Sequence, residues 1–173
     1  RQRQMCIRDS FTSYRNMQEM YEILKNEIGF PVMIQGEAPK SQILSRFREE
    51  VDSVLFATSS FWEGVDVSGE ALSCVIIDKL PFASPSDPLV EARIERLSQA
   101  GENPFMKYQV PAAIIALKQG MGRLIRNRSD RGVLALMDSR VLTKRYGKLF
   151  IRSMPPAPIT HDISDVERFF GSG

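Results

Sequence analysis

Four short apolar runs constrain the fold of this chain more than any other feature of its sequence. They are rich in Val, Ile and Leu without strict alternation with polar residues, which is typical of strands covered on both faces of a parallel sheet. Longer segments with apolar residues at helical spacing separate them. The sequence therefore predicts an α/β fold, a doubly wound and mainly parallel sheet with helices on both faces. The predicted strands are residues 31–35, 53–58, 73–78 and 132–138.

The same pattern predicts the helices and the domain limits. Residues 1–10, RQRQMCIRDS, make a poor buried strand because charged residues fall on both faces, so either the domain begins mid-strand or this segment is foreign to the fold. We expect a non-native leader, or one that is disordered or loosely attached. Residues 11–158 form the predicted domain, and residues 159–173 form a tail that follows a Pro-rich stretch beginning at residue 155. Helices are predicted at residues 15–28, 41–51, 88–100 and 111–125, with a short one at 165–170 in the tail.

Composition sets the class of protein and its partners. No apolar run approaches the roughly 20 residues that span a bilayer. The two cysteines, Cys6 and Cys74, indicate neither a disulfide framework nor a metal site, so a cytoplasmic protein is expected. Between residues 118 and 152, ten basic residues oppose two aspartates, giving +8 within a chain of net charge +2. This imbalance favours a polyanion partner, either nucleotide phosphate or nucleic acid, although a solvated basic face remains an alternative.

One candidate site is the segment TSSFWEGVD, residues 58–66, which directly follows a predicted strand. Thr58 and Ser59 offer hydroxyls and amides to phosphate oxygens, and Gly64 permits a tight backbone. Asp66 is a carboxylate suited to a sugar hydroxyl or to orienting a neighbour. A strand-to-helix turn with serine caps and a core Trp62 would explain the same residues.

A second candidate is QGMGRLIR, residues 119–126, at the end of a predicted helix. Gln119, Arg123 and Arg126 are spaced four and three residues apart, which places them on one helical face. Two guanidinium groups on one face form a phosphate clamp, and Gly122 permits close approach. A surface helix with solvated arginines is the alternative, but each helical glycine there costs about 1 kcal/mol.

The third candidate is FTSYR, residues 11–15, at a predicted strand end. Hydroxyls at such a turn, here Thr12 and Ser13, can hold a backbone phosphate at the start of a helix. Ordinary helix capping would account for them equally well.

These segments together resemble one family. The stretches FTSYRNM, ATSSFWEGVDVSGE, VIIDKLPFASPSDPLVEARIE and LKQGMGRLIRNRSDRGVLALMDSR resemble motifs IV, V and VI of DinG/XPD-type helicases of superfamily 2, with bacterial DinG- and YoaA-like proteins nearest. The resemblance covers Phe11 to about Pro158 and implies the second, C-terminal RecA-like motor domain. WEGVD combined with QGxGRLIR is far more specific than either motif alone.

The resemblance implies roles for the candidate residues. Gln119, Arg123 and Arg126 match motif VI, whose arginines act as fingers on the γ-phosphate held by the first motor domain. The nucleotide side would further include Gly122 together with Gly64 and Asp66, which match motif V, a motif that couples the nucleotide cleft to DNA. The DNA-backbone side would include Thr12, Ser13, Thr58 and Ser59.

The chain lacks a GxxxxGK[ST] loop, an acidic DEAH-like box and the family's four cluster cysteines, all of which belong to the first motor domain. The resemblance thus implies half of an ATP-dependent 5′→3′ DNA helicase of a class linked to DNA repair, inactive when isolated. ATP and Mg²⁺ would be shared with the first motor domain, the iron–sulfur cluster would lie outside this chain, and single-stranded DNA would be the partner. A noncatalytic nucleic-acid-binding module, or a motor acting on RNA or protein, remains open.

Overall fold

The computed structural model shows one five-stranded sheet in which every neighbouring pair of strands is parallel. The strands are β1 (Ile7–Phe11), β2 (Val32–Ile34), β3 (Val54–Thr58), β4 (Cys74–Ile77) and β5 (Val133–Leu136), in the spatial order β2-β3-β1-β4-β5. The structure describes residues 7–11 (backbone only), 13–50, 52–58, 61, 72–122, 124–125 and 130–171.

Helices cover both faces of this sheet, as the sequence predicts. They are α1 (Tyr14–Leu24), α2 (Lys40–Glu49), α3 (Pro88–Gln99), α4 (Val110–Met121), α5 (Arg140–Thr143), α6 (Gly147–Ser153) and α7 (Ile163–Gly171), with a π-helix (Phe105–Gln109) leading directly into α4.

The burial of β3 shows why the apolar runs lack polar alternation. Val54 and Phe56 pack with Met17 of α1 in one cluster, whereas Leu55 and Ala57 belong to the larger cluster on the other face. That larger cluster includes side chains of α2, α4 and α6. With both faces covered, four successive residues of β3 are buried. All four predicted strands are confirmed, with ends that differ from the prediction by at most two residues.

The prediction for the first ten residues is wrong where it concerns structure. Ile7–Phe11 forms the central strand, paired with β3 on one side and β4 on the other. Strand pairing uses backbone N–H and C=O groups, which every non-proline residue carries, so a polar sequence does not prevent it. Residues 1–6 lie outside the described residues, and a foreign origin of the leader stays a prediction.

Two helical predictions also need correction. Helix α1 ends at Leu24, not at residue 28, and α4 ends at Met121, not at residue 125. The last turn of α4 contains Gly120 and is followed by Gly122, and glycine is among the poorest helix formers. The short helices α5 and α6 were not predicted from the sequence.

The course of α4 gives the sheet two distinct edges. Its start lies at the carboxyl ends of the strands, where Phe105 of the π-helix stacks on Phe82 of the loop after β4. Beyond its end, the Leu124 side chain packs against Gly132, the residue before β5. A Cβ added at Gly132 would lie 2.4 Å from that side chain. Helix α4 therefore runs antiparallel to the strands, from the carboxyl edge of the sheet to its amino edge.

Helix α7 of the tail lies near the loop before β5. The Arg131 guanidinium lies 4.7 Å from the centre of the Phe169 ring and donates to the Phe169 carbonyl oxygen at 3.1 Å. None of the helices in the described residues is both long and apolar enough to cross a membrane.

Candidate nucleic-acid interface

Three loops converge at the carboxyl edge on the β2 side of the sheet. Thr58 ends β3 and is in register with Phe11, the last residue of β1. Ser13 follows two residues later at the N-cap position of α1. Gln35 comes directly after β2 and binds Thr58 through its side chain. Because the strands are parallel, polar residues that follow β1, β2 and β3 meet at one edge.

The Gln35 side chain is oriented by Thr58. Its Oε1 atom accepts hydrogen bonds from the Thr58 backbone N–H and from the Thr58 hydroxyl, both at 2.9 Å. An N–H group is always a donor, so the amide oxygen, not the nitrogen, must face Thr58. The two Nε2 hydrogens are then directed elsewhere, and no described residue accepts them. Because the Thr58 N–H and hydroxyl both donate to Gln35, the donor that this pair offers to a ligand is the Gln35 Nε2 group.

Gly36 makes this loop possible. Its φ angle is +101°, a conformation that side chains rarely tolerate. A Cβ there would also lie 2.8 Å from the Tyr14 hydroxyl, which is close to the Gln35 carbonyl oxygen at 3.4 Å. The loops after β1 and β2 are therefore in contact, and Tyr14 of the FTSYR segment borders the same site as Gln35.

An open cavity of about 340 Å³ lies beside these loops. The Lys40 ammonium at the start of α2 lies 5.3 Å from the centre of the Phe61 ring, which is buried. The cavity thus combines an exposed cation, an amide and a glycine backbone, which are groups that bind phosphate oxygens. Its lining consists of Gln35, Gly36, Ala38, Lys40 and Phe61.

Ser13 does not act as an ordinary helix cap. It occupies the N-cap position of α1 in extended conformation, yet its side chain makes no capping hydrogen bond. Its carbonyl oxygen accepts the Met17 N–H at 3.1 Å, and among the described residues its hydroxyl has no hydrogen-bond partner. No acidic residue occupies the first turn of α1. The capping alternative for Ser13 is therefore not supported in this structure.

The other end of the same edge is built around Asp138, which follows β5. Its Oδ2 atom accepts the Leu80 N–H of the loop after β4 at 2.9 Å, and Oδ1 accepts the Arg140 N–H at 3.0 Å. The Arg140 guanidinium also binds both oxygens, at 2.6 to 3.0 Å. Burial raises the pKa of Asp138, but the hydrogen bonds from Arg140 and the two backbone groups outweigh it and lower the pKa to about 2.

An aromatic cluster completes this second end. Phe82 stacks on Phe105 and meets Tyr146 and Phe150 edge-on, with ring centres 5.5 to 5.9 Å apart. The Arg140 guanidinium lies 5.5 Å from the centre of the Phe82 ring. The loop after β4, the start of α4 and helix α6 are therefore packed as one unit, with the polar groups of Asp138 used internally.

The structure separates the candidate residues into two groups. Ser13 and Thr58 lie at the carboxyl edge, whereas Gln119 and Gly122 lie at the end of α4 near the amino edge, and both are exposed. Because α4 ends at Met121, a single helical face through residues 119–126 is not established. The candidates Thr12, Ser59, Gly64, Asp66, Arg123 and Arg126 lie outside the described residues.

Sequence reasoning missed Gln35, Asp138 and Arg140. Gln35 carries the same signal as Thr58, a polar residue at the end of an apolar run, and that signal could have identified it. In the sequence, Asp138 is visible only as a charge that opposes the basic block. Among the described residues, no group of three or more His, Cys, Asp or Glu side chains is placed to hold a metal ion.

Comparison with known proteins decides the family. The model of the helicase C-terminal domain matches residues 7–157, most of the chain. The chain belongs to the helicase C-terminal domain family. This confirms the resemblance found in the motifs, and the α/β fold agrees with it.

Individual relatives agree with this assignment. The chain is 51% identical over 158 residues to the ATP-dependent DNA helicase YoaA of Escherichia coli K12, covering 91% of this chain and 25% of that protein. It is 41% identical to the ATP-dependent helicase DinG of Mycobacterium tuberculosis H37Ra, covering 84% and 22%. The chain thus spans about a quarter of the length of these relatives.

A solved structure of an XPD helicase superposes with a TM-score of 0.66 at 19% identity, covering 88% of this chain and 28% of that one. A structure of Xpd4 from S. tokodaii gives 0.59 at 21% identity, covering 86% and 29%. These matches show that the RecA-like motor-domain fold of XPD helicases is the fold of this chain.

Proposed function

We propose that this chain is the second motor domain of an ATP-dependent DNA helicase that moves 5′→3′ on single-stranded DNA. In this proposal the carboxyl edge of the sheet binds the DNA strand, and the end of α4 faces the nucleotide held by the first motor domain. The observation that supports the proposal is that Ser13 and Thr58 lie at the carboxyl edge of the sheet, whereas Gln119 and Gly122 lie near its amino edge. A motor that couples two ligands needs two separate surfaces whose positions are linked by the fold.

The DNA side rests on the Gln35 cavity and Ser13. A single strand offers a row of phosphate oxygens, which accept hydrogen bonds but do not donate them. The Gln35 Nε2 group, the Lys40 ammonium and the Ser13 hydroxyl are all donors at this edge. Thr58 acts as a positioning residue because it fixes the orientation of the Gln35 amide. Thr12 and Ser59 extend the same surface in the proposal.

The nucleotide side rests on α4 and the residues that follow it. A Cβ added at Gly120 would meet nothing within 4 Å in the described part of the chain, so packing does not explain this glycine. Close approach of a ligand or a second domain would explain it. We assign Gln119, Arg123 and Arg126 to the γ-phosphate, where guanidinium groups stabilise the charge that develops during phosphoryl transfer. Gly122 borders the nucleotide in the proposal, and Gly64 and Asp66, in the segment that follows Thr58, couple the nucleotide to the DNA side.

ATP, held with Mg²⁺ by the first motor domain, supplies the phosphoryl group that is transferred to water. We place the iron–sulfur cluster of the resemblance outside this chain, and the whole protein in the cytoplasm. The isolated chain is then expected to show no DNA-stimulated ATP hydrolysis, because the residues that cradle the β- and γ-phosphates would come from the first motor domain.

The test is the steady-state ATPase rate of the whole protein on saturating single-stranded DNA. Arg123→Ala and Arg126→Ala should lower kcat by about 10³-fold or more with little change in the KM for ATP, since a finger acts as charge develops. Arg128→Ala is the matched control and should keep most of the activity. If both variants keep their turnover and lose only DNA affinity, the chain is a noncatalytic nucleic-acid-binding module in this region.

A further inference from the structure

A positively charged surface lies beyond β5, away from the Gln35 cavity. Its members are four exposed cations of the α5–α6 corner that have no carboxylate partner within 4 Å in the described part of the chain. Most exposed cations of α1, α2 and α7 are paired instead, as in Arg15–Glu19, Arg46–Glu50 and Arg168–Asp165. We call this set the α5–α6 basic surface, and it consists of Lys144, Arg145, Lys148 and Arg152.

The sequence leaves these charges unbalanced over a long stretch. No acidic residue occurs between Asp138 and Asp162, and Asp138 is fully engaged by Arg140 and two backbone groups. The local field of the surface is therefore positive. Such a field attracts a polyanion, and the attraction weakens as salt is added.

The backbone beneath the surface is held in place by close packing. A Cβ added at Gly147 would lie 2.0 Å from the Val141 carbonyl oxygen. Helix α6 therefore approaches α5 more closely than any residue type other than glycine would allow at this position. Phe150 is fully buried in the core below. Lys148 and Arg152 are one turn apart on the exposed face of α6, a spacing that places their charges side by side.

The position of the surface relates it to the Gln35 cavity. Helix α5 begins two residues after Asp138, at the carboxyl edge, and β5 and β2 are the two outer strands of the sheet. Four inter-strand spacings separate these outer strands, which is about 19 Å. A few nucleotides of an extended strand span that distance along one edge.

We propose that the α5–α6 basic surface binds the phosphate backbone of single-stranded DNA and extends the strand's path from the Gln35 cavity across the carboxyl edge. The inference rests on the proposed function. Lysine and arginine side chains on an open surface contact phosphates without reading bases, which suits a protein that moves along any sequence. An acidic peptide would meet the same four cations, and the test below distinguishes it from DNA.

The test is fluorescence anisotropy of a labelled oligothymidylate titrated with the purified chain at several salt concentrations. In the variant Lys144→Ala/Lys148→Ala/Arg152→Ala, we expect affinity at low salt to fall at least about tenfold. The slope of log K against log salt should decrease by about 2, since each lost phosphate contact on a single strand accounts for about 0.7. The charge-conserving variant Lys144→Arg/Lys148→Arg/Arg152→Lys should bind like the wild type.

A matched control removes three exposed cations elsewhere, Arg93, Arg96 and Arg168, each changed to alanine. It should alter affinity less than about threefold, and all variants should keep the wild-type melting temperature within a few degrees because the changed residues are exposed. Wild-type affinity and slope in the triple variant would overturn the inference and leave the proposed function intact. If the wild-type chain binds no oligothymidylate, that result would contradict both this inference and the proposed function. Loss of poly-L-glutamate binding without loss of DNA binding would assign the surface to an acidic protein instead.

Discussion

The two ends of the carboxyl edge share one hydrogen-bonding arrangement but differ in whether its polar groups are all satisfied. At one end the Gln35 side chain accepts the backbone N–H of Thr58 from a neighbouring strand, and at the other Asp138 accepts the backbone N–H of Leu80. Asp138 then takes further donors from Arg140, whereas the Nε2 group of Gln35 has no acceptor among the described residues. A satisfied polar group stabilises the fold, and an oriented but unsatisfied one is available to a ligand. We therefore propose that the same arrangement stabilises the fold on the β5 side and binds a ligand on the β2 side.

The largest effect is expected from Gly147→Ala at the satisfied end. The added Cβ would overlap the Val141 carbonyl oxygen of the backbone, which cannot move without separating α6 from α5. We expect a loss of about 3 kcal/mol or more in the free energy of unfolding, measured by urea denaturation.

Gly120→Ala is the control for this prediction, because a Cβ there has open space around it among the described residues. It should raise stability by up to about 1 kcal/mol through helix propensity. Equal effects of the two alanines would show that the α5–α6 corner is not the tightly packed end.

Asp138→Asn should have the next largest effect, a loss of about 2 kcal/mol in the free energy of unfolding. The folded pKa of about 2 lies below the ordinary value of 3.8, so the carboxylate stabilises the fold fully above about pH 4. That contribution is lost as the pH falls from about 4 towards 2. Urea denaturation of both proteins at pH 7 and pH 3 should therefore show a smaller difference at pH 3. A difference independent of pH would contradict the ion-pair account.

How much of the fold and of the candidate site could be predicted from the sequence depends on which chemical groups form each feature. The apolar side chains of β3 made this strand predictable, because apolar surface must be removed from water. The pairing of Ile7–Phe11 was missed because backbone groups make it and side-chain patterns do not report them. Gln35 and Asp138 were missed because their roles depend on partners 23 and 58 residues away in sequence. The end of α4 was misplaced because glycine in a last turn shortens a helix that the apolar pattern alone would continue.

Gln35→Glu reverses the Asp138→Asn exchange and tests the unsatisfied end. A glutamate still accepts the Thr58 N–H and hydroxyl, so we expect the melting temperature to change by only a few degrees. It has no donors and adds a negative charge, so single-stranded DNA affinity should fall at least about tenfold, or 1.4 kcal/mol. Anisotropy titration measures the affinity, and Gln42→Glu on α2 is a control of equal charge. A stable variant with unchanged affinity would end the assignment of Gln35 to DNA.

The most direct test of the central claim compares two glutamine side chains in one spectrum. Gln35 lies at the carboxyl edge, and Gln119 lies at the end of α4 near the amino edge. In an ¹⁵N-labelled sample of the chain, addition of oligothymidylate should shift the side-chain NH₂ signals of Gln35 until binding saturates, and leave those of Gln119 in place. Saturable shifts of Gln119 with an unchanged Gln35 would contradict the account, because they would place the DNA at the edge that we assign to the nucleotide.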